Sequence, residues 1–136
     1  MEDSERGKIR NRDFVPEKDF SGLRYDKITP TDLDGFVEFA DQVFVFIELK
    51  YRDSTMKTGQ RMAFERLCDV CWRDGKYVMG IVARYEEGGK VVAVAPLPVV
   101  QYRFHGKWVF PKKTVTVRQM VDEARKHLNN PKIIAA

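Results

Sequence analysis

The sequence has little of what marks a membrane protein, a disulfide-stabilised protein or a fibrous one. It contains no apolar run close to the roughly 20 residues that span a bilayer, so we expect no membrane partner. Its two cysteines are too few for a disulfide framework, which fits a cytoplasmic location. Nine glycines and six prolines exclude a collagen-like or linker-rich chain. A globular protein is left, and 136 residues suffice to bury one hydrophobic core.

Positive charge is in excess and is concentrated toward the C-terminus. Lys and Arg number 24 against 20 acidic residues, and residues 101–136 hold 8 of the basic residues but only 2 of the acidic ones. Such a region favours a polyanionic partner such as nucleic acid, although many inert domains are equally basic. Residues 1–13 are highly charged and poor in aliphatic side chains. They predict a flexible N-terminal arm ahead of a single domain over residues 14–136.

Hydrophobic periodicity predicts an α/β (α+β) sandwich, in which helices flank a mixed central β-sheet. Residues 43–50 are apolar on both faces, as expected for a central strand that is covered on both sides. A helix is predicted from Thr58 or Gly59 to about residue 73, and its expected apolar face carries Ala63, Leu67, Val70 and Cys71. The other predicted elements are strands over 33–39, 76–84 and 90–97, the last two joined by a turn at 87–89, an exposed hairpin over 101–110 and a helix over 117–128.

Acidic and basic side chains at the ends of the first two strands form the most informative group. Glu48 and Lys50 lie on one face of their strand because side chains alternate. If a three-residue loop centred on Asp41 joins the strands, opposed residues have numbers that sum to 82. Asp34 then faces Glu48, and Asp32 faces Lys50. Two carboxylates this close repel each other unless a cation lies between them, and oxygen-rich sites suit Mg²⁺ or Mn²⁺.

A simpler interpretation stays open at this point. Acids opposite lysines on an exposed hairpin are common and serve solubility, and the pairing depends on the assumed length of the loop. Two features favour a site. The charged residues end strands that are otherwise apolar on both faces, where surface charges are not expected. Gly35, directly after Asp34, allows close approach of a ligand.

Three short motifs resemble those of the PD-(D/E)xK nuclease superfamily, which has the restriction-endonuclease-like fold. The matching residues are T-D-L-D-G at 31–35, I-E-L-K at 47–50 and G-Q at 59–60, where the next helix begins. Gln60 followed by Phe64 is similar to the Q-x-x-x-aromatic helix of exonuclease-like and phage members, although Gln60 could equally serve only to cap the helix. No proline adjoins Asp34, and an upstream acidic residue is either Glu17 or lacking.

The resemblance assigns a role to each matching residue. It implies that Asp34 and Glu48 bind Mg²⁺ or Mn²⁺, that Leu49 offers its backbone carbonyl, and that Lys50 supports water activation. Gln60 completes the implied catalytic set. The implied activity is metal-dependent hydrolysis of DNA phosphodiesters.

Small single-domain relatives include Holliday-junction resolvases, many of them encoded by phages. The resemblance therefore implies a homodimeric, structure-selective endonuclease, located in the host cytoplasm if it is phage-encoded. The alternative is a non-catalytic nucleic-acid-binding module that retains the nuclease fold.

Basic and aromatic residues alternate along residues 101–113. Such a segment can track phosphates with its cations and stack its aromatic rings on unpaired bases. The predicted nucleic-acid-binding residues are Arg103, Lys107, Trp108, Lys112 and Lys113. The alternative is an amphipathic hairpin whose aromatic residues join the core. The C-x-x-C pair of Cys68 and Cys71 lacks further ligands for a metal, and we expect buried thiols there.

Overall fold

The computed structural model describes residues 16–89 and 91–129. The chain divides into two compact units, Met1–Pro30 and Thr31–Ala136. The predicted arm over residues 1–13 lies outside the described part. Within the first unit, a short 3₁₀ helix spans Ser21–Leu23, and Tyr25 forms an isolated antiparallel bridge with Ile28.

Over its described residues, the second unit is a five-stranded mixed sheet with two α-helices, which confirms the mixed α/β prediction. The strands lie in the order β1-β2-β3-β4-β5. The pair β2–β3 is parallel and is connected through α1, whereas the other neighbouring pairs are antiparallel. The elements are β1 (Gly35–Phe39), β2 (Val43–Tyr51), α1 (Thr58–Arg73), β3 (Tyr77–Tyr85), β4 (Val99–Phe104), β5 (Lys107–Val109) and α2 (Val117–Arg125).

The turn between β1 and β2 sets the register of both strands. Phe39 pairs with Val43, so the loop has the three residues that the sequence predicts. Ala40 and Asp41 both have positive φ, 50° and 60°, and the Gln42 N–H donates to the Phe39 carbonyl at 2.9 Å. Positive φ at both of these residues is typical of the hairpin turns whose backbone twist matches that of the flanking strands. Every β1–β2 pair sums to 82, as predicted.

The hydrophobic core has two parts, one on each face of the sheet. On one face, α2 packs Val117, Met120 and Ala124 onto the sheet. On the other face, α1 packs Phe64 and Cys68 onto the sheet. Strand β2 contributes to both parts, with Val43, Val45 and Ile47 on the α2 side and Phe46 on the α1 side. The prediction of a central strand covered on both sides is therefore confirmed.

Helix α1 has the predicted bounds but a different inner face. Ala63, Leu67 and Val70 were predicted to point inward, and this was wrong because all three are exposed. Phe64 and Cys68 are buried instead, and Gln60 lies one turn before Phe64 on the same inner face. Close packing requires Gly80 of β3, since a Cβ there would lie 2.5 Å from the Cys68 Sγ.

The segment before β4 differs from its prediction. No strand occurs over residues 91–97, and the strand predicted over 90–97 with a turn at 87–89 was wrong. Pro96 and Pro98 cannot donate to a sheet ladder, so the strand beside β3 begins later, at Val99. The freed carbonyls of Ala95 and Leu97 instead accept the N–H groups of Arg118 and Val117, in the first turn of α2.

The C-terminal hairpin and helix follow their predictions more closely. Strands β4 and β5 turn at His105 and Gly106, which have positive φ of 51° and 74°. Thr116 caps α2 through a reciprocal capping box with Gln119. Helix α2 ends at Arg125, earlier than predicted. Within residues 16–89 and 91–129, no helix is both long enough and apolar enough to span a membrane.

Candidate functional site

Asp34 and Glu48 come together where β1 begins beside β2. Gly35 pairs with Ile47, so the same register places Asp34, one residue earlier, opposite Glu48. The pairing of β2 with β1 ends at Ile47. Two residues later, the Leu49 N–H donates to the Asp34 carboxylate at 2.7 Å, in place of a backbone carbonyl of β1. The N–H and carbonyl of one strand residue point to the same side. The Leu49 carbonyl therefore faces the side on which Asp34 lies.

Glu48 is the one charged side chain in the core of the described residues, and it is 3% exposed. It lies on the α1 side of β2, where Gln60 from the first turn of α1 reaches it. The Gln60 Nε2 donates to the Glu48 Oε1 at 3.0 Å, and the Gln60 Oε1 accepts from the Lys50 Nζ at 2.9 Å. The Lys50 Nζ also lies 3.6 Å from the Glu48 Oε1. The three side chains thus form a closed polar triangle.

The electrostatics of the carboxylate pair follow from this burial. Desolvation, together with the charge of Asp34 and a hydrogen bond to it, raises the pKa of Glu48 to about 7. The charge of Asp32 also raises the pKa of Glu48, with the smallest effect, whereas the charge of Lys50 lowers it. Without a cation nearby, ionising Glu48 as well as Asp34 therefore costs free energy. A cation between them would favour ionisation of both.

The structure brings together four residues that the sequence predicted for the site, Asp34, Glu48, Lys50 and Gln60, with the backbone of the fifth, Leu49. Asp32 was predicted to face Lys50, but it is exposed, and among the described residues the ion pair of Lys50 is with Glu48. Glu17 is exposed and belongs to the first unit. No role in the site follows for it.

The donor set restricts which metal the site could hold. Within residues 16–89 and 91–129, no group of three His, Cys, Asp or Glu side chains is arranged for a metal ion. Asp34, Glu48 and the Leu49 carbonyl offer oxygen atoms only. Mg²⁺ commonly binds through one or two carboxylates, waters and substrate phosphates, so these residues fit Mg²⁺ or Mn²⁺. They do not supply the four ligands of a structural zinc site.

The two cysteines of α1 lie apart from this site. Cys68 is buried, and burial raises the pKa of its thiol to about 12. Cys71 is partly buried, and the pKa of its thiol is also raised, chiefly by burial. High thiol pKa values go with inert cysteines. Cys68 therefore matches the buried thiol expected from the sequence, whereas Cys71 is only partly buried.

Two of the predicted nucleic-acid-binding residues are engaged within the protein. Arg103 forms a two-point ion pair with Asp69, at 3.0 Å and 2.7 Å, and lies 3.8 Å from Glu65. The hydrogen bond to Asp69 is the main reason why the pKa of Arg103 is raised. The Trp108 indole donates to Glu65, and its ring stacks on Phe64 with centroids 6.1 Å apart. Trp108 therefore packs against the core, as in the alternative that the sequence left open for the aromatic residues of the hairpin.

The other three predicted nucleic-acid-binding residues are exposed. Lys107 begins β5, and Lys112 and Lys113 follow that strand. Nothing within the described residues forms an ion pair with any of them. A role in binding phosphates stays a prediction for these lysines.

Arg84, near the end of β3, was not among the residues that the sequence predicted for the site. Arg84 pairs in parallel register with Lys50, and its Nε is buried without a hydrogen-bond partner among the described residues. A signal was present, since β2 ends in Leu49-Lys50-Tyr51 and β3 ends in Ala83-Arg84-Tyr85. The two runs are alike because each apolar strand finishes with a cation and a tyrosine.

Comparison with known proteins identifies no relative. No protein-family model matches the sequence, and neither the curated proteins nor the solved structures include a match.

Proposed function

We propose that this protein is a metal-dependent nuclease that hydrolyses phosphodiester bonds of DNA. The observation that carries the proposal is the arrangement around Glu48, a buried carboxylate that faces Asp34 and is held by Gln60 and Lys50. Burying a charge next to another charge of the same sign costs free energy, so proteins place such groups mainly where they serve chemistry.

Each side chain has a distinct part in the proposed reaction. Asp34, Glu48 and the Leu49 carbonyl would hold Mg²⁺ or Mn²⁺. When bound, such an ion lowers the pKa of a water molecule and balances charge on the attacked phosphate. Lys50 presents its ammonium group beside Glu48, where it can orient the attacking water or stabilise negative charge that develops on the phosphate.

Gln60 is assigned a positioning part. Its amide joins the Lys50 ammonium to the Glu48 carboxylate through two hydrogen bonds, at 2.9 Å and 3.0 Å. This bridge limits the rotamers of both charged side chains. A fixed arrangement before the substrate binds is what electrostatic catalysis requires.

The order of elements supports placing the chain with restriction-endonuclease-like nucleases. An acid precedes β1, the E-x-K motif lies on the antiparallel neighbour β2, and α1 with its glutamine leads to the parallel strand β3. A structure-selective endonuclease of the junction-resolvase type, acting as a homodimer in the cytoplasm, extends this proposal by resemblance alone.

One observation favours the second candidate, a nucleic-acid-binding module without catalytic activity. Only two carboxylates meet at the site among the described residues, so the protein contributes few metal ligands of its own. Under this alternative, DNA binding would depend on salt but no strand would be cut.

A cleavage assay separates the two candidates. Supercoiled plasmid and a labelled four-way junction are incubated with Mg²⁺, Mn²⁺ or EDTA, using wild-type protein, Glu48→Ala and Lys50→Ala. Matched controls are Glu87→Ala, a carboxylate in an exposed loop, and Lys126→Ala, whose exposed side chain pairs with Glu123.

The nuclease proposal predicts metal-dependent cuts by the wild type and both controls, and loss of activity in the two site variants. Equal cleavage by Glu48→Ala would trace the activity to a contaminant and overturn the proposal. Salt-dependent binding without cleavage would identify the module instead.

A further inference from the structure

Two cationic side chains lie next to each other at the carboxyl ends of the parallel strands. Lys50 on β2 is the register partner of Arg84 on β3. Register partners of parallel strands project from the same face of the sheet, and neighbouring strands are about 4.8 Å apart. Both side chains thus lie on the face of the sheet that α1 covers, and Lys50 there lies beside Glu48.

The surroundings of the two cations differ. Lys50 has a carboxylate and an amide as partners, in Glu48 and Gln60. Arg84 has no ion pair within the described residues, and its Nε is buried without a hydrogen bond. The half-buried Arg103 provides a contrast, because two carboxylates, Asp69 and Glu65, surround its guanidinium group.

An unpaired donor on a cation is costly, and like charges side by side add to the cost. A buried polar group without a partner calls for a specific explanation, such as an ion that binds there. The guanidinium group is planar and binds two oxygens of a phosphate at once, whereas the lysine ammonium acts as a point charge. An anion placed against both Lys50 and Arg84 would satisfy the free donor and remove the repulsion.

We propose that Arg84 and Lys50 together bind a phosphate of the nucleic-acid backbone at the carboxyl ends of β2 and β3. This inference rests on the proposed function, because it takes the ligand of the carboxylate site to be a nucleic acid. It makes Arg84 a substrate-binding residue. The place agrees with the tendency of α/β sheets to bind ligands beyond the carboxyl ends of parallel strands.

The test measures binding separately from cleavage. Labelled single-stranded and duplex DNA are titrated by fluorescence anisotropy in EDTA, over a series of KCl concentrations. The proteins are the wild type, Arg84→Gln, Arg84→Lys and the control Arg118→Gln, which changes an exposed arginine on the opposite helix. Thermal unfolding of each protein is recorded in the same buffer.

Arg84→Gln is expected to bind DNA about tenfold more weakly, since hydrogen bonds to charged groups are worth at least this factor. Its plot of log affinity against log salt is expected to be shallower by about one unit, because one phosphate contact is lost. Arg84→Lys keeps the positive charge, so its salt dependence of binding is expected to match that of the wild type. It loses the two-point contact with the phosphate and is therefore expected to bind DNA more weakly. The control leaves both quantities unchanged.

Thermal unfolding distinguishes binding from a structural role. Because Arg84 lacks a partner, its replacement by Gln is expected to leave the unfolding temperature unchanged or raise it. Wild-type affinity and salt slope in Arg84→Gln would overturn the inference. If that variant does not fold, Arg84→Lys carries the test, and wild-type affinity in Arg84→Lys would overturn it equally.

The outcomes also separate this inference from the proposed function. Binding that depends on Arg84 in a protein that never cuts DNA would keep the inference and reject the nuclease. Cleavage with wild-type KM by Arg84→Gln would keep the nuclease and reject the inference.

Discussion

Gln60, on the first turn of α1, donates to the Oε1 of Glu48 on β2 at 3.0 Å, so the helix and the strand meet at the carboxylate itself. The same amide accepts from Lys50 at 2.9 Å. The position of α1 on the sheet therefore decides how the charged side chains of the site are oriented.

Replacing Gln60 by Ala is expected to lower kcat of DNA cleavage roughly tenfold or more while KM changes little, because a preorganising hydrogen bond is removed without loss of a substrate contact. Lys50 would then close onto Glu48, from its present distance of 3.6 Å. Steady-state cleavage kinetics give both constants, and Lys57→Ala, an exposed residue just before α1, is the control. A rise in KM alone would contradict the positioning role.

The stability of the metal-free protein should depend on pH through Glu48. Burial and Asp34 raise the pKa of Glu48 from its ordinary value of 4.5 to about 7. Between these values the folded state binds a proton that the unfolded state has released, so the free energy of unfolding falls as pH rises. At about 1.4 kcal/mol per unit of pKa, the loss is on the order of 3 kcal/mol, and it is complete only above the folded-state pKa.

Urea denaturation in EDTA, from pH 4 to pH 8, measures this dependence. Glu48→Gln is uncharged throughout and is expected to flatten the curve, whereas the control Glu87→Gln should retain it. Addition of Mg²⁺ near neutral pH is expected to restore stability to the wild type, since a ligand that binds only the folded state stabilises it. A wild-type stability that rises between pH 5 and pH 7 would contradict the raised pKa.

Gly80→Ala is expected to destabilise the protein by about 1–3 kcal/mol, because α1 packs directly on this residue. The added Cβ would lie 2.5 Å from the Cys68 Sγ and 2.6 Å from the ring of Phe64. Gly59→Ala is the matched control, since nothing lies within 4 Å of a Cβ there and alanine favours the helix. Denaturant unfolding compares the two variants, and equal stability would show that α1 can shift on the sheet.

Arg103 and the exposed lysines of the same region should behave differently. Arg103→Ala leaves Asp69 without its cation, whereas Glu65 keeps Arg61 at 3.8 Å and the Trp108 indole as partners. A stability loss of about 2–4 kcal/mol is expected, because the half-buried Asp69 carboxylate loses its two hydrogen bonds. Lys112→Ala and Lys113→Ala are expected to keep wild-type stability while each reduces the salt slope of DNA binding. Unfolding and anisotropy titrations measure the two effects. Unchanged stability of Arg103→Ala would contradict its structural role.

The sequence predicted those parts of the site that depend on residues close together in the chain. The β1–β2 register followed from alternation and a three-residue loop, and it correctly placed Asp34 opposite Glu48. Gln60 was predicted for the site on the spacing of its motif, although helix periodicity placed Ala63 and Leu67 on the wrong side. Apolar residues occur on both sides of α1, so its pattern alone did not define the buried face.

Arg84 required information that a single sequence does not contain. Its proximity to Lys50 depends on the register between two parallel strands that are 34 residues apart at this pair. Such a register is set by how the connecting helix packs, and no turn fixes it. The strand predicted over 90–97 also failed. Its continuous run of apolar residues resembles a strand, but Pro96 and Pro98 exclude a central one.

The length of the tight turn at residues 40–42 sets which residues face each other at the site, although the turn lies at the other end of the hairpin. Removing or adding one residue there would slip β1 by one position and carry the Asp34 side chain to the opposite side of the sheet, away from Glu48. Under the proposed function, such a change would abolish cleavage without altering any side chain of the proposed site. The residue types of this turn can therefore vary only as far as positive φ at positions 40 and 41 allows, and under the proposed function its length is tied to activity.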